Sequence, residues 1–105
     1  SVTADAILSY VRARRKSIKS ANVETLYRLV EGKVEALEFL IRQECEYTDV
    51  PLKELPTKPE YLIACIGRKG RIIIPGGDDR IQVGDSVVIV TTERGTEDLR
   101  EMFRR

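Results

Sequence analysis

The sequence predicts an α+β domain: a small, mostly antiparallel β-sheet with an N-terminal linker helix, a short middle helix and a C-terminal helix. Three observations carry that expectation. Two short β-branched runs, residues 62–66 and 71–74, flank a polar turn at Arg68-Lys69-Gly70, which is a hairpin signal. Ile81-Gln82-Val83-Gly84-Asp85 then forms a tight turn that feeds a third strand over residues 86–90. Finally, caps and helical spacing recur near both ends and between the two proline residues in the middle of the chain. An apolar β unit of this design carries no catalytic side chain, so it points to a binding or assembly module.

Residues 1–17 read as a helix, with Thr3 as cap, Asp5 in the first turn, and Ala4, Ile7, Leu8 and Val11 at helical spacing. Arg12, Arg14, Arg15 and Lys16 suit the negative end of the helix dipole and a solvated face. A nucleic-acid surface would need basic residues on a second element with aromatics to stack bases, and neither is present, so no nucleic-acid partner is expected. Residues 22–30 alternate as a strand, with Val23, Thr25, Tyr27 and Leu29 on one face, before a turn at Glu31-Gly32. In residues 33–43 the signals conflict. Glu35-Ala36-Leu37-Glu38 favours helix by propensity, whereas Leu37, Phe39 and Ile41 alternate, and the preceding turn decides for a β-hairpin.

Residues 50–56 make the short middle helix, with Pro51 in its first turn, Pro56 at its end, and Leu52 and Leu55 inward. Residues 57–60 are a linker. Pro75-Gly76-Gly77-Asp78 stops the strand before it, because proline cannot donate to the ladder. The terminal helix starts after Gly95: Thr96 caps, Glu97 and Asp98 fill the first turn, Leu99, Met102 and Phe103 form one apolar face, and Arg104 and Arg105 close the end.

The chain of 105 residues suits one small domain, and 42% hydrophobic with 33% charged residues gives it a core and a solvated surface. A net charge of +1 singles out no acidic or nucleic-acid partner. The apolar run 61–66 is far too short to span a bilayer, and no stretch reads as a secretory signal. Cys45 and Cys65 read as reduced thiols, the second in the core; with no histidine and no paired cysteine motif, no metal site is expected. Glu44, Glu46 and Asp49 read as solvated surface. Without histidine the usual nucleophile–base pair cannot be built, so the chain is expected not to be an enzyme and to hold no catalytic residues. It begins at Ser1 and its one methionine is Met102, as in a piece of a longer protein or one with a processed start.

Glu38-Phe39-Leu40-Ile41, Val50-Pro51-Leu52-Lys53-Glu54-Leu55, Leu62-Ile63-Ala64-Cys65-Ile66-Gly67-Arg68, Ile73-Ile74-Pro75-Gly76-Gly77-Asp78 and Ile81-Gln82-Val83-Gly84-Asp85-Ser86-Val87 together resemble the TrkA-C (RCK-C) domain. That domain forms the C-terminal part of regulators of Trk and Ktr potassium uptake and of ligand-gated potassium channels. The resemblance divides the chain into a linker helix (1–17), leading from a missing N-terminal nucleotide-binding Rossmann domain, and the TrkA-C domain itself (18–105). Gly84 and Asp85 fit a structural turn, where glycine supplies a positive φ and the aspartate bonds a backbone N–H. Gly76-Gly77 lacks the following helix N-terminus of a phosphate loop.

The family resemblance implies a regulatory, ligand-sensing and dimerising domain of a potassium uptake system, cytoplasmic and peripheral to the membrane through a transporter subunit. Its implied partners are a second copy, the Rossmann domain of the parent and the potassium channel or transporter membrane subunit. No cofactor is expected in this domain; NAD or ATP would sit in the missing one. In some members cyclic di-AMP binds between two copies, and the corresponding positions here are Lys58, Leu62, Ile63, Ala64 and Pro75. Lys58 would face a phosphate, with Leu62 and Ile63 over the adenines; the alternative is that the aliphatic residues are core and Lys58 is solvated. Two other readings stay open: an assembly module that senses nothing, and a TrkA-C domain attached to another anion or cation carrier.

Overall fold

The computed structural model describes the backbone of residues 9–12 and all of residues 21–105. Among the described residues six strands form a single sheet: β1 (Ser9–Arg12), β2 (Val23–Leu29), β3 (Val34–Leu40), β4 (Tyr61–Arg68), β5 (Arg71–Ile73) and β6 (Ser86–Thr91). Their spatial order is β1-β2-β3-β6-β4-β5, and every neighbouring pair is antiparallel. The last strand in sequence therefore lies between the two hairpins.

The α+β expectation is overturned, because the described residues hold only two short 3-10 helices, Leu52–Glu54 and Leu99–Met102. In the predicted linker helix, Ser9–Arg12 instead pairs with β2, in the register Ser9↔Arg28 to Arg12↔Thr25. The rest of residues 1–17, and the boundary at residue 17, lie outside the described residues. The middle helix shrinks to one turn because Pro51 and Pro56 bracket too few residues, and neighbouring donors turn outward to loops: Leu52 N to Asp79 O at 2.9 Å and Lys53 N to Gly77 O at 2.9 Å.

The C-terminal helix fails for a similar reason. Its residues pair with other segments, through the isolated bridges Asn22↔Asp98 and Thr57↔Phe103. Thr96 is not the cap; its hydroxyl is buried against the Tyr61 hydroxyl at 2.7 Å. Asp98 caps instead, in a capping box completed by Glu101.

The turns follow backbone chemistry. Val30, Glu31 and Gly32 all have positive φ, so β2 and β3 are joined by the four residues between Leu29 and Val34 rather than by Glu31-Gly32 alone. Lys69 and Gly70, at φ 51° and 77°, make the two-residue loop between Arg68 and Arg71 whose twist matches the strands.

One face of the sheet carries the core. Leu37 and Phe39 of β3, Val87 and Ile89 of β6 and Ile66 of β4 are fully buried there. The loops supply the lid: Tyr47, Ile81, Leu99 and Met102 belong to the same cluster and are equally buried. Burial of each such side chain contributes on the order of 1.5–3 kcal/mol. The lid is stitched down by backbone bonds, among them Asp49 N to Ile81 O (2.8 Å) and Gly84 N to Ile41 O (2.7 Å).

Candidate functional site

On the opposite face of the sheet the described residues leave apolar side chains without a lid. Strand parity assigns it. Register places Tyr27, Ala36, Val90 and Leu62 in one row across β2, β3, β6 and β4. A second row holds Glu38, Val88 and Cys65, and a third Leu40, Ser86, Gly67 and Ile72. The Ser86 hydroxyl donates to Glu38 Oε2 at 3.1 Å, confirming the shared face. Leu62 is 65% exposed and Ile72 71% exposed, whereas Val88 and Val90 are half-buried. Eight apolar side chains in these rows are more than scattered surface hydrophobics.

A bulge in β4 shapes this face. Ile63 pairs with Ile89 and Cys65 with Val88, leaving Ala64 as the extra residue. The insertion keeps Tyr61, Ile63 and Ile66 all opposite buried partners, Thr91, Ile89 and Val87. It also moves Cys65 to the open face, correcting its assignment to the core; Cys45 is the thiol that packs against the core, and both are free.

The five predicted ligand residues are therefore not gathered. Leu62 lies on the open face, Ile63 packs against the core, and Ala64 sits in the bulge between them. Pro75 is half-buried beyond β5, next to Ile74, which is 76% exposed. Lys58 lies elsewhere, in a cleft beside the C-terminal tail, and its N–H donates to Met102 O at 2.8 Å.

Gly84 has φ 96°, and the Asp85 carboxylate accepts from Gln82 N at 2.8 Å, closing the turn before β6. Asp85 is fully buried, and Arg68 is the partner that allows it: Nε and Nη2 reach its two oxygens, and Nη2 also donates to Arg80 O at 2.8 Å. The hydrogen bond to Asp85 pushes the Arg68 pKa above its ordinary value, so the guanidinium stays charged. Burial raises the Tyr61 pKa, against the lowering effect of its bond to Thr96. On the core face near the sheet's end, Glu35 is buried with Oε2 at 3.7 Å from Arg28 Nε, while Oε1 has no hydrogen-bond partner.

Sequence reasoning missed which residues make up the open face and missed the Arg68–Asp85 pair. The signal for the first was present: residues 62–66 and 87–90 are continuous apolar runs, not alternating ones, as in strands covered on both faces. Among the described residues no group of histidine, cysteine and carboxylates is placed to hold a metal, and no helix is long and apolar enough to cross a membrane.

Among the described residues, one face of the sheet is lidded by loops and the other carries exposed apolar side chains. Residues 36–104 match the family model described as the TrkA-C domain, and the chain belongs to that family. It is 34% identical over 73 residues to the Trk system potassium uptake protein trkA homolog 1 of Methanosarcina mazei, covering 70% of this chain and 18% of that protein. Over 72 residues it is 33% identical to the Trk system potassium uptake protein TrkA homolog of Archaeoglobus fulgidus (69% and 16% covered). The TrkA homolog of Pyrococcus abyssi is 29% identical over 72 residues, with 68% of this chain and 32% of that protein covered. The chain thus spans less than a third of the length of each of these relatives, from 16% to 32%.

Proposed function

We propose that this chain is a regulatory domain of a Trk-type potassium uptake system, and that it pairs with a second copy through the open face of its sheet. The observation that carries the pairing is the apolar row Tyr27, Ala36, Val90 and Leu62, with Ile72 beside it, on a face to which the described residues contribute no lid. The names of the relatives support the potassium system. In this reading the domain works at the cytoplasmic side of the membrane, downstream of a Rossmann domain, and acts on the transporter's membrane subunit. A ligand shared by two copies shifts their arrangement only by its differential affinity for the two states.

Cyclic di-AMP is the ligand to try first. A calorimetric titration with ATP and NADH as controls, run beside sedimentation of the same sample, tests both halves. A dimer that takes one cyclic dinucleotide per two chains, and becomes monomeric and ligand-free with Leu62→Asp, supports the sensor. A monomer at all concentrations overturns the pairing. A dimer that binds none of the three supports the assembly-only reading.

A further inference from the structure

β5 is an outermost strand of the sheet, laddered on one side to β4 and on the other to no described residue. Its hairpin loop decides which backbone groups face outward. The two-residue loop Lys69-Gly70 makes Arg68–Arg71 the hydrogen-bonded pair, so Gly67–Ile72 is the non-hydrogen-bonded one. The N–H and C=O of Ile72 therefore point away from β4. The alternation runs on past the ladder: Ile73 is half-buried, Ile74 exposed and Pro75 half-buried. Ile74 shares the parity of Ile72, and neither makes a loop hydrogen bond among the described residues. At 71% and 76% exposure, these two are also the most exposed large apolar side chains described.

Natural sheets blunt such an edge with a charge on the strand or a proline whose missing N–H faces out. Here Arg71 and Pro75 stand at the alternate positions, whose backbone groups face the sheet, so neither blocks the outer side. The edge is self-complementary. Laid antiparallel on a second copy about a two-fold axis through Ile73, Ile72 of each chain lies opposite Ile74 of the other. Four backbone hydrogen bonds and two isoleucine pairs on one face result. In that register Arg71 meets Pro75 and not another arginine, and the Lys69-Gly70 turn comes beside the Gly76-Gly77-Asp78 loop of the second copy. Lys69 and Arg71 are exposed, with no carboxylate at ion-pair distance among the described residues. The Asp78 side chain is 89% exposed even though it pairs with Lys53. Opposite charges thus meet at both ends of the contact.

We infer that β5 is a separate contact between copies of this chain, in which two β5 strands pair edge to edge, antiparallel about Ile73, into one continuous sheet. The contact is built from backbone groups at the rim of the sheet and does not depend on the face pairing proposed above.

The test is amide hydrogen exchange, read residue by residue by NMR across a dilution series. It is run on the Leu62→Asp chain, in which the face pairing is broken, so that failure of one contact is not read as failure of the other. The Ile72 and Ile74 amides are expected to exchange about tenfold or more slowly at the highest concentration than at the lowest, with the Glu31 amide at the far hairpin unchanged. Ile72→Pro removes an outward donor and no bond to β4, so it should abolish the protection of Ile74. Ile72→Lys with Ile74→Lys keeps both donors but sets like charges opposite each other, and should abolish it too. An unchanged amide spectrum away from β5 shows that the variants stay folded. Exchange that is equal at all concentrations overturns the contact. Protection that survives both variants overturns it as well. So does protection already complete at the lowest concentration in a sample that sediments as a monomer, because the edge is then covered within one chain.

Discussion

Arg68 closes on both carboxylate oxygens of Asp85, Nε to Oδ1 at 2.8 Å and Nη2 to Oδ2 at 2.9 Å, at the end of the ladder where β4 finishes and β6 begins. Asp85 also holds the turn through Gln82 N, so one buried carboxylate anchors both the strand entry and the neighbouring hairpin. Removing the arginine leaves that charge buried and uncompensated. Arg68→Ala is expected to cost about 3–5 kcal/mol in urea unfolding, and Arg68→Lys less, because it keeps the charge but not the two-point geometry. A double-mutant cycle with Asp85→Ala should return a coupling of roughly 1–3 kcal/mol; a coupling near zero would mean that the pair is incidental.

Tyr61 and Thr96 give a pH signature. With its pKa raised above the ordinary 10.0, Tyr61 stays protonated in the folded chain at pH values where the unfolded chain ionises. Its contribution is therefore complete below pH 10 and lost as pH rises through the folded value. Tyr61→Phe should cost about 1–2 kcal/mol at neutral pH, since it strands a buried Thr96 hydroxyl. The gap between wild type and variant should then narrow in melts above pH 10.

Gly84 tests the turn itself. A Cβ there would meet nothing within 4 Å, so Gly84→Ala suffers from backbone conformation alone, at φ 96°. The expected loss is about 1–3 kcal/mol with strand content unchanged by circular dichroism.

The two faces of the sheet should respond differently. Leu37 is fully buried, and Leu37→Ala is expected to lower unfolding stability by about 2–5 kcal/mol. Leu62→Ala should change the stability of the monomer by no more than about 0.5 kcal/mol, while raising the dissociation constant measured by sedimentation. Equal effects of the two on stability at low concentration would argue that the outer face is already covered within one chain.

The strands were legible because β-branched runs, the Lys69-Gly70 turn and the Gly84-Asp85 turn are local signals that agree with the final fold. The helices were misread because Leu99, Met102 and Phe103 do recur at helical spacing, yet so short a helix is marginal on its own. Leu99 N donates to Ala21 O and Arg104 N to Pro56 O, bonds between distant segments that no local pattern announces. The same holds for the site. Leu62 and Ile63 read as one apolar pair, but strand parity sends them to opposite faces, and the extra residue Ala64 appears only once β4 is laid against β6.

The place of β6 governs how the chain must assemble. The β2–β3 and β4–β5 hairpins share no backbone ladder; the strand that ends at Thr91 is the one that joins them. During synthesis both hairpins emerge with an open edge, and neither can recruit the other until the last strand slots between them. Loop closure over such separations is slow, and unpaired edges invite association between neighbouring nascent chains. A cell making this domain at high rate thus faces its greatest aggregation hazard in the interval before β6 emerges from the ribosome.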